Sequence, residues 1–169
     1  MTSEFMRDLL SKDEKITVEY KTCQFGIQED VYETVCSFSN RYGGYIIMGT
    51  EDDGTPIGVK QNMVKDMKRN FVNQLNNPDK MSPTLYLSIE DFEYEGKILL
   101  WVYVPPTATV EKCGNRIYDR NEDGDMDITD SPIQLQNMYN RKSTTYAEHK
   151  IFPYVTKEDL CLDLMDKVR

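Results

Sequence analysis

The sequence predicts an α+β domain built on a mixed, mainly antiparallel sheet with helices packed on it, and three patterns carry that expectation. In ITVEYKT the apolar Ile16, Val18 and Tyr20 alternate with Thr17, Glu19 and Lys21, the period of a strand with one buried face. The runs 84–94 and 97–104 are rich in β-formers and meet at Glu95-Gly96, a hairpin signal. Between these strand candidates, 28–41 and 63–75 carry apolar residues at helical spacing.

Taken in order, residues 3–12 form a helix with Ser3 as N-cap and Phe5, Leu9 and Leu10 as its apolar stripe. The strand at 16–22 follows. Val31, Val35 and Phe38, flanked by Tyr32 and Cys36, give the next helix, which Gly43-Gly44 ends. The run from Tyr45 to Gly49 is continuous and apolar, as a central strand is, and Asp53-Gly54 turns the chain into TPIGV. Met63, Met67, Phe71 and Leu75 define a second amphipathic helix, closed by NNPDKMSP, and Pro105-Pro106 stops the long hairpin. A short strand at 116–118, an acidic loop at 119–130 and a helix at 132–140 come next. Thr156 and Asp159 open a last helix containing Leu160, Leu162, Leu164 and Met165. The expected organisation is one domain over 1–145 and a C-terminal linker and helix over 146–169, cut from a longer protein.

The 169 residues suffice to bury a core without staples or metal. Cys23, Cys36, Cys113 and Cys161 form no CxxC pair, and the lone histidine, His149, sits in a polar stretch with no catalytic partner spacing, so reduced thiols in a cytoplasmic protein are expected. No run approaches the apolar length of a membrane span or signal peptide. The net charge of −9 excludes a broadly basic surface wrapped on phosphates, so nucleic-acid contact requires a local patch. The same charge suits an alternative reading as a protein-interaction domain.

The run EKITVEYK, followed by VYETVCSFSNRYGGYIIMGTEDDGTPIGV, resembles the Schlafen/AlbA-like domain family. The resemblance rests on Glu14, Glu19, Tyr20, Lys21, Phe38, Asn40, Gly43, Gly44, Gly49, Asp52 and Gly54, and more loosely on WVYVPP and on Tyr118 and Arg120 in RIYDR. It implies a nucleic-acid-binding module, for DNA or RNA, of a transcriptional regulator-like protein. It further implies a homodimer, because nuclease members pair two such lobes into a clamp. The contact cluster is drawn from Lys21, Arg41, Arg116 and Arg120, with affinity coming mainly from phosphates.

Three constellations could carry chemistry. Glu14, Glu19 and Asp52, with Lys21 beside them, match the positions that in nuclease relatives hold Mg²⁺ or Mn²⁺, so the alternative enzyme is a metal-dependent endoribonuclease. The bland counterpart is a surface Glu19–Lys21 pair on an amphipathic strand, contributing under about 1 kcal/mol. The turn Asn40-Arg41-Tyr42-Gly43-Gly44 offers backbone N–H groups to a phosphate with Arg41 as partner, and equally supplies a left-handed helix cap. No GxxxxGK[ST] accompanies it. Finally, DRNEDGDMDITD fits a twelve-residue Ca²⁺ loop: Asp119, Asn121, Asp123, Asp127 and Asp130 occupy ligand positions and Gly124 the sixth place, with aspartate replacing the usual final glutamate. Acidic turns are more often simply solvated. Trp101 in LLWVYVP is expected in the core, with base stacking as its lesser alternative.

Overall fold

The computed structural model describes residues 2–11, 16–122 and 124–148. Helix α1 (Ser3–Leu10) is capped by Thr2, one residue before the expected Ser3: the Thr2 Oγ1 accepts from the Phe5 N–H at 3.2 Å. Strand β1 (Val18–Lys21), helix α2 (Glu29–Asn40) and strand β2 (Gly44–Met48) form a parallel crossover unit. A single 3₁₀ turn at Gln61–Met63 leads into α3 (Val64–Leu75), which buries Met67, Phe71 and Leu75 as its spacing predicts.

The short strand β3 (Met81–Ser82) comes next, and the chain then makes the expected hairpin from β4 (Ile89–Tyr94) and β5 (Lys97–Val104). Glu95 and Gly96 both have positive φ, 51° and 72°, as a two-residue turn matched to strand twist requires. Strand β4 starts five residues later than its β-rich run, because Leu85 donates its N–H to the Leu75 carbonyl and ties the start of that run to the end of α3. Strand β6 (Lys112–Cys113) pairs with β3.

The sheet order is β1-β2-β5-β4, with β1 parallel to β2 and the other pairs antiparallel. Strand β2 is thus central, and the α+β class with a mixed sheet is observed. Side chains of paired residues share a face. One face carries Ile46, Met48, Leu100, Val102 and Val104 and packs with residues of α2 and α3 in the larger core. The other carries Val18, Tyr20, Ile47 and Leu99, over which α1 places Met6 and Leu9. Trp101 is half-buried on this second face rather than fully in the core.

The segment expected as an acidic loop is instead a β-hairpin. Strand β7 (Tyr118–Asn121) pairs with β8 (Gly124–Asp127), and α4 (Pro132–Glu148) follows, extending well beyond its expected end. Met138 of α4 packs with Ile117 and Ile128 in a third small core. Cys23, Cys36 and Cys113 are buried free thiols. Among the described residues, no helix is long and apolar enough to cross a membrane. Glu14, Asp123, His149, Cys161 and the helix expected from Thr156 lie outside the described residues.

Candidate nucleic-acid interface

The polar face of β1 is covered rather than solvated. Glu19 and Lys21 share a sheet face with Ile46 and Met48, the face that belongs to the larger core, so both charges lie inside the fold. Glu19 accepts from the Arg120 guanidinium and pairs with Lys21 at 2.9 Å, and Lys21 reaches Asp30 of α2 at 2.8 Å. Burial opposes the charge on Lys21, but Asp30 and Glu19 outweigh it and raise its pKa. The expected surface pair is therefore a nearly buried network.

Arg120, only 4% exposed, is its hub. It joins Glu19 to Asp125 of β8, 2.7 Å away, and its guanidinium lies 4.8 Å over the ring of Phe38. Asp125 also accepts from Thr34 at 2.6 Å and from Ser37, which fastens the hairpin to α2. Burial would lower the pKa of Arg120, yet Glu19 and Asp125 raise it, so the charge is held in place. A side chain so enclosed presents nothing to a phosphate, and Arg120 leaves the expected contact cluster for this steric reason.

Of the expected carboxylate site, Glu19 and Asp52 lie among the described residues. The turn carrying Asp52 packs through Gly54 against Leu10 and Tyr20, on the face of β1 opposite Glu19. Among the described residues no group of three or more histidine, cysteine, aspartate or glutamate side chains could hold a metal ion.

The same alternation separates the acidic residues of the hairpin. Asp119 pairs with Met126 and Tyr118 with Asp127, so Asp119 and Asp127 point to opposite faces and do not converge as Ca²⁺ ligands must. Asp119 meets Arg41 and Arg141, while Asp127 meets Arg116 at 2.8 Å and Thr129 at 2.6 Å. Asn121 closes the hairpin opposite Gly124, and Asp130 lies exposed after it.

The residues that do converge stand at the C-terminal end of α2. Asn40 is buried: its Nδ2 donates to the carbonyls of Glu111 and Tyr118, both at 2.9 Å, and its Oδ1 accepts from the Glu111 N–H at 2.8 Å. The Arg41 and Gly43 N–H groups both turn back to the Phe38 carbonyl, so the turn spends them on capping. Gly43 has φ +74°, and a Cβ there would lie 2.6 Å from the Val104 carbonyl oxygen; one on Gly44 would lie 2.7 Å from that of Thr17. The glycine pair is needed for this close packing.

Helix α4 brings two more cations to the same corner. Arg141 donates to the Asn40 carbonyl at 3.1 Å, and Lys142 Nζ donates to the carbonyls of Ser39 and Thr107 at 3.0 and 2.9 Å. Both satisfy oxygens at the negative end of α2. Burial pushes the Lys142 pKa down to about 8, opposed by Glu111. Asp119 lies 3.3 Å from Arg41 and 3.1 Å from Arg141, one carboxylate between two guanidiniums. The Arg41 guanidinium also lies 5.1 Å over the ring of Tyr42, which is 56% exposed.

Of the expected cationic cluster, Arg41 stands at this corner, Lys21 and Arg120 are internal, and Arg116 is exposed beside Asp127. Sequence reasoning named Tyr42 only as part of the Asn40–Gly44 turn and missed Arg141 and Lys142. The motif RYGG made Tyr42 visible, but nothing local links Arg141 to Asp119 or Lys142 to Ser39.

A family model described as Schlafen, AlbA_2 matches residues 14–129. No curated protein matches the chain. Among solved structures, the N-terminal domain of a protein from Nitrosomonas europaea, named as related to the ATP-dependent DNA helicase RecG, is similar. It has 26% identity and a TM-score of 0.51, covering 62% of this chain and 72% of that one. The DIP2311 protein from Corynebacterium diphtheriae shares the fold at 16% identity and a TM-score of 0.56, covering 80% of this chain and 27% of that one.

Proposed function

Since the chain belongs to the Schlafen, AlbA_2 family, we propose that it is a nucleic-acid-binding module, taking DNA or RNA, of a transcriptional regulator-like protein. The observation that carries the reading is the meeting of Arg41 and Arg141 about Asp119 at the end of α2, with Lys142 bound to the Ser39 carbonyl beside Glu111: three cations against two carboxylates, on a chain of net charge −9. Arg41 and the exposed Tyr42 add a guanidinium and an aromatic ring side by side, the pair of groups that phosphates and bases use. The RecG-related name of the Nitrosomonas europaea neighbour supports the same direction.

Phosphate affinity at so small a patch is modest and strongly salt-dependent, losing about one counterion per phosphate neutralised. Fluorescence anisotropy with tRNA and with duplex DNA, at two salt concentrations, tests the reading. Salt-sensitive binding that Arg41→Ala weakens supports it; binding indifferent to Arg41→Ala, or absent for every nucleic acid tried, refutes it.

A further inference from the structure

Beside this corner lies a cleft of about 330 Å³ with Phe5, Thr17, Tyr42, Gly44, Tyr45 and Tyr103 in its wall. It opens on the sheet face that α1 covers only in part. Tyr45 and Tyr103 are direct cross-strand partners, with ring centroids 4.9 Å apart, and Phe5 meets Tyr45 edge-on at 5.5 Å. Trp101 continues the row, 6.4 Å from Tyr45. These rings are not sealed in a core: Tyr42 is 56% exposed and Tyr103 44%.

We propose that this aromatic cleft takes an unpaired nucleobase, so that the module selects single-stranded over duplex nucleic acid; the inference rests on the nucleic-acid reading above. Exposed tyrosines present flat π-faces to a base and hydroxyl groups to water, which suits a partner that comes and goes. Arg41 stacks on Tyr42, which lines the cleft, so a phosphate can meet the guanidinium while the adjoining base lies against the exposed ring faces.

A duplex keeps its bases stacked inside and offers mainly phosphates. The few cations here must then hold it against the repulsion of a chain of net charge −9. At the other end of the row, Glu90 is paired with Trp101 and shares its face, so an anionic backbone is turned away from that side. Charge thus confines the footprint to the end bearing Arg41, and a small footprint that needs a free base describes a single strand.

The test measures anisotropy for a labelled single-stranded oligothymidylate, and for a duplex with the same number of phosphates, with the whole chain at low salt. The expected result is tighter binding of the single strand, weakened about tenfold by Tyr103→Leu and kept by Tyr103→Phe, with duplex binding the same for both variants. Unchanged duplex binding by Tyr103→Leu separates lost stacking from lost folding, and the phenylalanine variant, which lacks the same hydroxyl, separates it from a lost hydrogen bond. Duplex bound as tightly as single strand, with Tyr103→Leu without effect, overturns the inference while leaving the nucleic-acid reading in place. No binding of either ligand removes both. A chain that is dimeric at the working concentration and that Tyr103→Leu makes monomeric also overturns the inference, because a second copy then covers the cleft.

Discussion

Glu19 of β1 accepts a hydrogen bond from Arg120 of β7 across 101 residues of chain, and both side chains are nearly out of reach of solvent. The pair closes the polar stripe of β1 beneath the hairpin, with Asp125 and Lys21 as its further partners.

Removing the hub leaves Asp125 without a cation and Glu19 with Lys21 alone. Arg120→Met is expected to destabilise the protein by about 3 kcal/mol, whereas Glu19→Gln costs less because Asp125 still holds the guanidinium. Urea unfolding of both single variants and the double variant measures this. A double-mutant coupling near zero would show that the two residues do not stabilise each other.

Asn40 ties the end of α2 to Glu111 and Tyr118 through three hydrogen bonds. Asn40→Ala is expected to cost about 2–4 kcal/mol, because backbone groups of both segments lose their partners inside the fold. The midpoint of chemical denaturation should fall accordingly. An unchanged midpoint would mean that the connection is dispensable.

Asp119 neutralises part of the charge that the nucleic-acid reading relies on. Asp119→Asn should leave Arg41 and Arg141 freer to meet phosphates, raising affinity several-fold at low salt and steepening the salt dependence by up to about one counterion. Anisotropy across a salt series reads both. Weaker binding would indicate that Asp119 positions the guanidiniums rather than competing with the ligand.

Lys142 should make both binding and stability depend on pH above neutrality. Its pKa of about 8 lies below the ordinary 10.5, so the folded chain releases this proton before the unfolded chain does. Folding therefore bears a cost below pH 8 that is relieved as pH rises from about 8 towards 10.5, while the site loses a positive charge over the start of that range. The surrounding groups are Glu111, Arg141, Cys36 and Asp119, and the Cys36 thiol is pushed up to about 12, beyond the pH window of the test. Compared with Lys142→Met, the unaltered chain should gain stability and lose nucleic-acid affinity between pH 7 and 9. Parallel curves for the two proteins would count against this assignment.

The sequence by itself determined the local elements and the family. Period-two alternation marked β1, period-3.6 spacing marked α2 and α3, and Glu95-Gly96 marked the hairpin, since each of these signals is carried by neighbours in the chain. It also drew attention to Asn40, Arg41, Gly43 and Gly44, whose importance is visible in so compact a motif.

Only the tertiary structure decided which polar face meets water. Alternation showed that Glu19 and Lys21 lie together, but the pairing of β1 with β2 and the placement of α2 and the β7–β8 hairpin above it put them inside. The spacing of 119–130 suits a Ca²⁺ loop and a hairpin equally well, and partners far away in sequence, Thr34, Ser37, Arg41 and Arg141, engage its carboxylates in the hairpin. The corner formed by Arg41, Arg141 and Lys142 joins residues about a hundred positions apart, and such a meeting is fixed by packing of α4 against the end of α2, not by any spacing along the chain.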